Sequence, residues 1–303
     1  MPARDASGHT RRVFLAQGAA ALAAAGTPGI SRGGAGVKEP DRGLTAREVI
    51  GRILSEVPEL PADTVDTVKA GDPSQVVTGV VTTFLDSCEV IDRAVALGAN
   101  LVITHEPTFY NHRDRVDWLE GDGVYRHKRE LLESNGLVVW RFHDGIHLLR
   151  PDGVVEGVLE ELGWKEHARS DDPRVCDLPP VTLHELASLF KERLGTGRVL
   201  AVGDPDRRCR TVGLMVGAAG GEAQMRFLRQ TGVEVLVVGE LAEWETSEYV
   251  RDASHSGLNR AVLAIGHAAS EEPGMKWLAG WLRPRLPGLT VTHVPLRDAL
   301  YRL

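Results

Sequence analysis

Cysteine is scarce. The 303 residues hold three, Cys88, Cys176 and Cys209, odd in number and far apart. This spacing excludes a disulfide framework and a CxxC-type zinc site, and the thiols read as small buried hydrophobes, with a single disulfide left open for an exported chain. Positive charge is also short: the formal net charge is −7, and since residues 1–25 hold three arginines and one aspartate, the remainder carries −9. A body that acidic lacks the electrostatic footprint of a nucleic-acid binder, and no basic stripe rescues the idea. Beyond residue 25 no apolar run is long enough to span a bilayer. Neither a G-x-S-x-G elbow nor a Walker sequence occurs, which gives serine-hydrolase and ATPase chemistry little support.

What is present begins with an address. Thr10-Arg11-Arg12-Val13-Phe14-Leu15 is a paired arginine before hydrophobic residues, followed by an Ala-rich stretch to Ala25 with A-x-A-type small residues at 23–25. It resembles a twin-arginine export signal, although Ala16 stands where a lysine is usual. The expectation is a signal peptide over residues 1–25, a Gly/Pro-rich linker over 26–43, and a periplasmic or extracellular product with no membrane attachment after cleavage. The body alternates helical stretches with short apolar β-rich runs, so the expected class is α/β. Strands are expected over 76–84, 101–103, 137–142, 199–202, 211–216, 233–238, 261–265 and 291–294. Helices are expected over 45–54, 88–97, 121–135, 154–162, 183–194, 222–230, from 240 to about 254, and over 273–282. The polar, Pro-rich stretch 168–180 reads as a connection between lobes.

Three of the apolar runs stop at histidine: Leu101-Val102-Ile103-Thr104-His105-Glu106, the run from Leu137 to His143-Asp144-Gly145-Ile146-His147, and Ala261-Val262-Leu263-Ala264-Ile265-Gly266-His267, with Glu271 four residues on. Ligands of open α/β sheets bind beyond the carboxyl ends of strands. Imidazoles and carboxylates delivered there suit divalent transition ions, and carboxylates can bridge two of them. His105 and Glu106, being adjacent, can reach different ions, whereas His267 and Glu271 share one helical face. His112, His127, His167, His184, His255 and His293 read as surface or packing residues, with Asn111-His112-Arg113-Asp114 the exception because it follows the metal turn and can face substrate. Gly217-Ala218-Ala219-Gly220-Gly221 before a helix reads either as an anion cradle or as a tight turn.

Residues 79–86, 88–100 and Leu101 through Pro107, together with Gly71-Asp72-Pro73 and Gly266-His267-Ala268-Ala269-Ser270-Glu271, resemble the Nif-three-like dinuclear metal-centre proteins, also labelled type 2 GTP cyclohydrolase I homologues. Gly163 after Glu160-Glu161-Leu162, and Gly239-Glu240, fall where that family has similar residues, and the likeness runs from about residue 45 to the end. It implies two interlinked α/β lobes with mixed sheets, a metal site in the cleft between them, and a ring-like homo-hexamer. The lobes are expected over 44–167 plus 259–303, which carries the metal ligands, and over 168–258.

Where the family has a second histidine this chain has Glu106, and where it has an aspartate the count from His143 reaches His147. The implied ligand set becomes His105, Glu106, His147, His267 and Glu271, again three imidazoles and two carboxylates. Asp144 is the alternative to His147 if the loop register shifts. His143 is expected behind the ligands or facing substrate, and Trp244 marks an altered neighbourhood near the Gly239-Glu240 motif. The functional expectation is a hydrolase using two divalent ions of Zn, Mn, Fe or Co on a small phosphate ester, nucleotide or purine-type ring, with Glu106 or Glu271 as proton acceptor. The alternative is a non-catalytic metal-binding or hexameric scaffold protein.

Overall fold

The computed structural model describes residues 43–300 except Thr231. The export signal expected over 1–25 and the linker up to residue 42 lie outside the described residues. In chain order the first part holds α1 (Ala46–Leu54), β1 (Val68–Ala70), β2 (Val80–Thr83), α2 (Cys88–Ala96), β3 (Leu101–Thr104), α3 (Gly123–Ser134), β4 (Val138–Arg141), α4 (Asp144–Leu148) and α5 (Gly153–Leu162). Then come β5 (Val175–Thr182), α6 (Leu183–Leu194), β6 (Leu200–Val202), β7 (Arg208–Met215), α7 (Gly221–Leu228), β8 (Val235–Val238), α8 (Glu248–His255), β9 (Ala261–Ala264), α9 (His267–Leu282) and β10 (Val291–His293). Local chemistry sets many boundaries. Thr45 and Glu48 cap α1 reciprocally, as Thr182 and Glu185 cap α6. The side chains of Ser87, Asp122 and Asp152 accept amide hydrogens that open α2, α3 and α5.

Two mixed five-stranded sheets result. The first has the order β1-β4-β3-β2-β10, with β10, β2, β3 and β4 parallel and β1 antiparallel at the edge. The second has the order β5-β7-β8-β9-β6, with β7, β8 and β9 parallel between antiparallel edges. Every residue of β2, β3, β4, β8 and β9 is buried. Burial on both faces explains why these strands read as unbroken apolar runs. Helices cover both faces of each sheet: α2 and α3 pack on one side of the first and α1 and α9 on the other, while α6 and α5 flank the second opposite α7 and α8. α5 joins the lobes, sending Val154 into the first core and Val155, Val158, Leu159 and Leu162 into the second. It crosses α9 closely, since a Cβ on Gly157 would stand 2.3 Å from the Pro273 carbonyl oxygen and one on Gly274 2.7 Å from the Val154 Cα.

The pairing revises the expected lobe boundary at residue 259. Strand β9 lies in the second sheet between β8 and β6, so the chain returns to the first lobe only through α9 and β10. The apolar run of β9 is equally suited to either sheet, and sequence could not choose. Residues 175–182, read as part of a connection, form an edge strand whose register shifts between Asp177 and Val181. Pro179 and Pro180 occupy that irregularity, where missing amide donors are tolerated. Helix α9 starts at His267 and not at 273, with Pro273 inside it. The helix expected from 240 is a π-helical turn, Glu243–Ser247, running into α8.

Candidate metal centre

Parallel strands bring their carboxyl ends to one edge. His105 and Glu106 follow β3, His143 and His147 follow β4, and His267 and Glu271 open α9 just past β9. Local hydrogen bonds fix each turn. The amides of His105 and Glu106 donate to the Phe84 carbonyl at 3.1 and 2.8 Å. The Asp66 carboxylate accepts from the amides of His143 (2.7 Å), Asp144 (2.8 Å) and Gly145 (2.7 Å), clamping the start of α4. At α9, Gly266 adopts φ +97°, a backbone conformation open to glycine. The Ser270 hydroxyl donates to the His267 carbonyl at 2.7 Å and accepts from the Gly217 amide at 3.0 Å.

Four imidazoles converge by the same device. Their Nδ1 atoms face acceptor-only oxygens: Phe142 carbonyl for His105 at 3.4 Å, Asp144 Oδ1 for His143 at 3.0 Å, Asp152 Oδ2 for His147 at 3.0 Å and Glu240 Oε1 for His267 at 2.9 Å. A carbonyl or carboxylate oxygen can only accept, so each Nδ1 carries a proton, and a ring in its neutral form keeps its Nε2 lone pair for a ligand. Between the rings stand two carboxylates. Glu106 Oε1 is 3.6 Å from both His143 Nε2 and His267 Nε2. Glu271 Oε2 is 3.4 Å from His105 Nε2 and 2.9 Å from His267 Nε2. His105, His143 and His147 each bring a ring nitrogen within 4.8 Å of the other two, and His105, Glu106 and Glu271 form a second such group.

Burial decides what this arrangement is for. His105 is fully buried, and its Nε2 and Glu271 Oε2 have no hydrogen-bond partner despite their proximity. Buried polar atoms left unpaired are costly, and two lone-pair donors aimed at one space are what a cation would satisfy. The donor set, nitrogen and oxygen mixed, fits a divalent transition ion.

The charges differ from ring to ring. Burial alone would lower the His267 pKa, but Glu271, Glu106 and Glu240 override it and lift it to about 9, so this ring holds a proton that a metal ion would displace. Burial would raise Glu271, yet the imidazoles of His105 and His267 hold it below the ordinary carboxylate range. His143 is pushed down to about 3 by burial and by the neighbouring His105, keeping it neutral and able to donate a lone pair.

All five residues of the expected ligand set, His105, Glu106, His147, His267 and Glu271, are brought into one cluster. His143, expected behind the ligands or facing substrate, stands among them and lines the cleft, its ring stacked on His105 with centroids 4.7 Å apart. Asp144, the alternative to His147, is occupied elsewhere: its Oδ2 accepts from the Thr64 hydroxyl at 2.7 Å and the Val65 amide at 3.1 Å. His112 faces His143 with centroids 5.6 Å apart and lines the cleft. Trp244 is 81% exposed on the π-helical turn, away from the ligands. Two amides of the glycine run are taken up within the fold, that of Gly221 by Glu245 Oε2 at 3.1 Å and that of Gly217 by the Ser270 hydroxyl at 3.0 Å. The run's purpose is room: Gly217 has φ +73° and a Cβ there would meet Glu271 Oε1 at 2.2 Å.

Two supports are absent from the sequence reading. Arg141, fully buried at the end of β4, donates through Nε to the His105 carbonyl at 2.9 Å and through Nη2 to Glu106 Oε2 at 3.2 Å, leaving Glu106 Oε1 to the imidazoles. Asp66 is the other, and neither belongs to a short-range motif. The cluster opens into a cleft of about 610 Å³ lined also by His112, Arg174, Ala218 and Ala219. A second opening of about 630 Å³, reaching Glu106 and His267 from the side of Phe84 and Arg198, completes the access.

The description Duf34/NIF3 (NGG1p interacting factor 3) matches residues 46–298. Among curated proteins, a GTP cyclohydrolase 1 type 2 homolog of Streptomyces coelicolor is 30% identical over 225 residues, covering 70% of this chain and 75% of that protein. A protein of the same description from Escherichia coli (strain K12) is 28% identical over 235 residues, covering 73% and 84%. Among solved structures, the Bacillus cereus protein related to NIF3 superposes with a TM-score of 0.69 at 15% identity, over 86% of this chain and 99% of that one. Staphylococcus aureus protein SA1388 does so at 0.68 and 16%, over 86% and 99%, and at such identities the likeness concerns the fold. With a match spanning every element described above, the chain belongs to the Duf34/NIF3 family.

Proposed function

We propose that this chain is an exported hydrolase that works with two divalent ions held by His105, Glu106, His147, His267 and Glu271. The observation that carries the reading is the convergence of four Nδ1-anchored imidazoles on two carboxylates, with His105 Nε2 and Glu271 Oε2 buried and in close approach without a well-formed hydrogen bond. Divalent ions, when bound, supply Lewis acidity that acidifies water and offsets negative charge on substrate. The chain's own residues supply the rest. Glu106 lines both openings, with one oxygen pinned by Arg141, and is better placed than the deeper Glu271 to accept a proton from water, a role that competes with holding an ion. Arg174, paired with Asp172 at 2.9 Å, brings a guanidinium to the cleft wall. This supports an anionic substrate such as a phosphate ester or nucleotide. The names of the curated relatives support a nucleotide or purine-type ring as the second choice.

Elemental analysis of the purified protein beside a His105→Ala, Glu271→Ala double variant tests the site. The expected result is two equivalents of transition metal in the parent and loss of most of it in the variant. Equal content would defeat the assignment. A screen of phosphate esters and nucleotides with added Mn or Zn then separates a hydrolase from a protein that only stores or senses ions. Turnover that disappears in the double variant supports the first, and metal retention without turnover the second.

A further inference from the structure

We infer that the two ions are held unequally, His105, His143 and His147 forming a nitrogen-rich pocket that retains one, while the other rests on His267 with open positions and Glu106 and Glu271 span between them. The inference rests on the dinuclear reading above and adds His143 as a ligand. Three observations carry it. First, the two candidate ligand groups share His105, and one ring nitrogen serves one ion, so the groups must divide. Second, each carboxylate faces imidazoles from both sides: Glu106 Oε1 lies between His143 and His267, and Glu271 Oε2 between His105 and His267. Oxygens so placed suit bridging positions. That leaves three imidazoles on one side and one on the other. Third, the three rings are fixed as a set. His105 stacks on His143, and His147 stands edge-on to both at 5.3 and 5.7 Å between centroids, while the Nδ1 atoms of His143 and His147 are each tied to their own carboxylate.

The three imidazoles make one pocket neutral in its own donors and rich in borderline-soft nitrogen, which favours Zn- or Co-like ions, and leave the other dominated by hard oxygen, which suits Mn or Fe(II). A site closed by protein ligands retains its ion, and one with open positions exchanges it and admits water or substrate.

Titration of the metal-free full-length protein with Co(II), followed by visible absorption and by release to a chelator, tests this. The expected result is two steps of one equivalent each, separated by about tenfold or more in affinity, with different ligand-field bands. His143→Gln weakens the tighter step alone. Asp152→Asn keeps the side-chain oxygen that caps α5 but removes the acceptor from His147 Nδ1. It is expected to weaken the same step by about 10–100-fold, so the test survives if one variant folds poorly. A single step of two equal equivalents, or variants that shift both steps alike or neither, would overturn the inequality and leave the dinuclear centre standing. Absence of Co(II) binding in the parent would overturn both.

Discussion

Arg141 and the histidines show how differently single residues announce their roles. His105, His267 and Glu271 were legible because their meaning is local: an imidazole directly after a buried run, or a carboxylate one helical turn from it, needs only strand and helix periodicity to be placed. Arg141 was not. Its value comes from reaching the carbonyl of His105 and the carboxylate of Glu106, some 35 residues away in sequence, and nothing about an arginine at a strand end signals that. His143 fell between these cases, since its neighbour Asp144 was visible but its ring stacking was not. The cysteines read as buried hydrophobes, which holds for Cys176 and Cys209, whereas Cys88 at the start of α2 is only partly buried, and all three are free thiols. Burial disfavours the thiolate and raises Cys176 to about 12 and Cys209 to about 11. A folded-state pKa above the unfolded one means these thiols stay protonated through neutral pH, and that they reduce stability only as alkalinity ionises the unfolded chain. Ellman's reagent should therefore label one thiol quickly, Cys88, in the native protein and three in denaturant. Rapid native labelling of Cys176 would contradict the packing of the second core.

At the level of elements, the central strands and most helices followed from sequence because those strands are buried on both faces and many helices are well capped, whereas the short β1 and α4 were not expected. The edges were harder. Strand β5 has an exposed, proline-interrupted pattern that periodicity cannot separate from a loop, and β9 has no sequence mark of which sheet it joins. The loop between β7 and α7 carries the most direct element-level prediction. Gly217 holds a left-handed φ of +73° and stands where a Cβ would press on Glu271 Oε1. Gly217→Ala should cost about 1–2 kcal/mol of folding stability from the backbone conformation, measured by urea unfolding. It should also displace Glu271, so that metal content falls while far-ultraviolet circular dichroism is unchanged. A variant that binds metal like the parent would show that the loop does not set the carboxylate's position.

For the whole molecule, the two sheets present their carboxyl edges to a common cleft, and the chain passes between lobes more than once, through α5 and again through α9. The proposed export is also a whole-molecule property: twin-arginine systems carry folded cargo, which would suit a protein that loads metal before leaving the cytoplasm. Replacing Arg11 and Arg12 by Lys should leave the protein in the cytoplasm, as read by fractionation. Unchanged export would remove the twin-arginine proposal without touching the metal centre. The hexamer proposed from the family likeness is checked by light scattering of the mature protein. The centre itself is tested most directly by diffraction from crystals of the purified protein at energies on either side of the metal absorption edges. Two anomalous peaks about 3.5–4 Å apart, within the space bounded by His105, Glu106, His147, His267 and Glu271, are expected; well-ordered side chains there with no anomalous peak in crystals grown with added Zn or Mn would contradict the assignment.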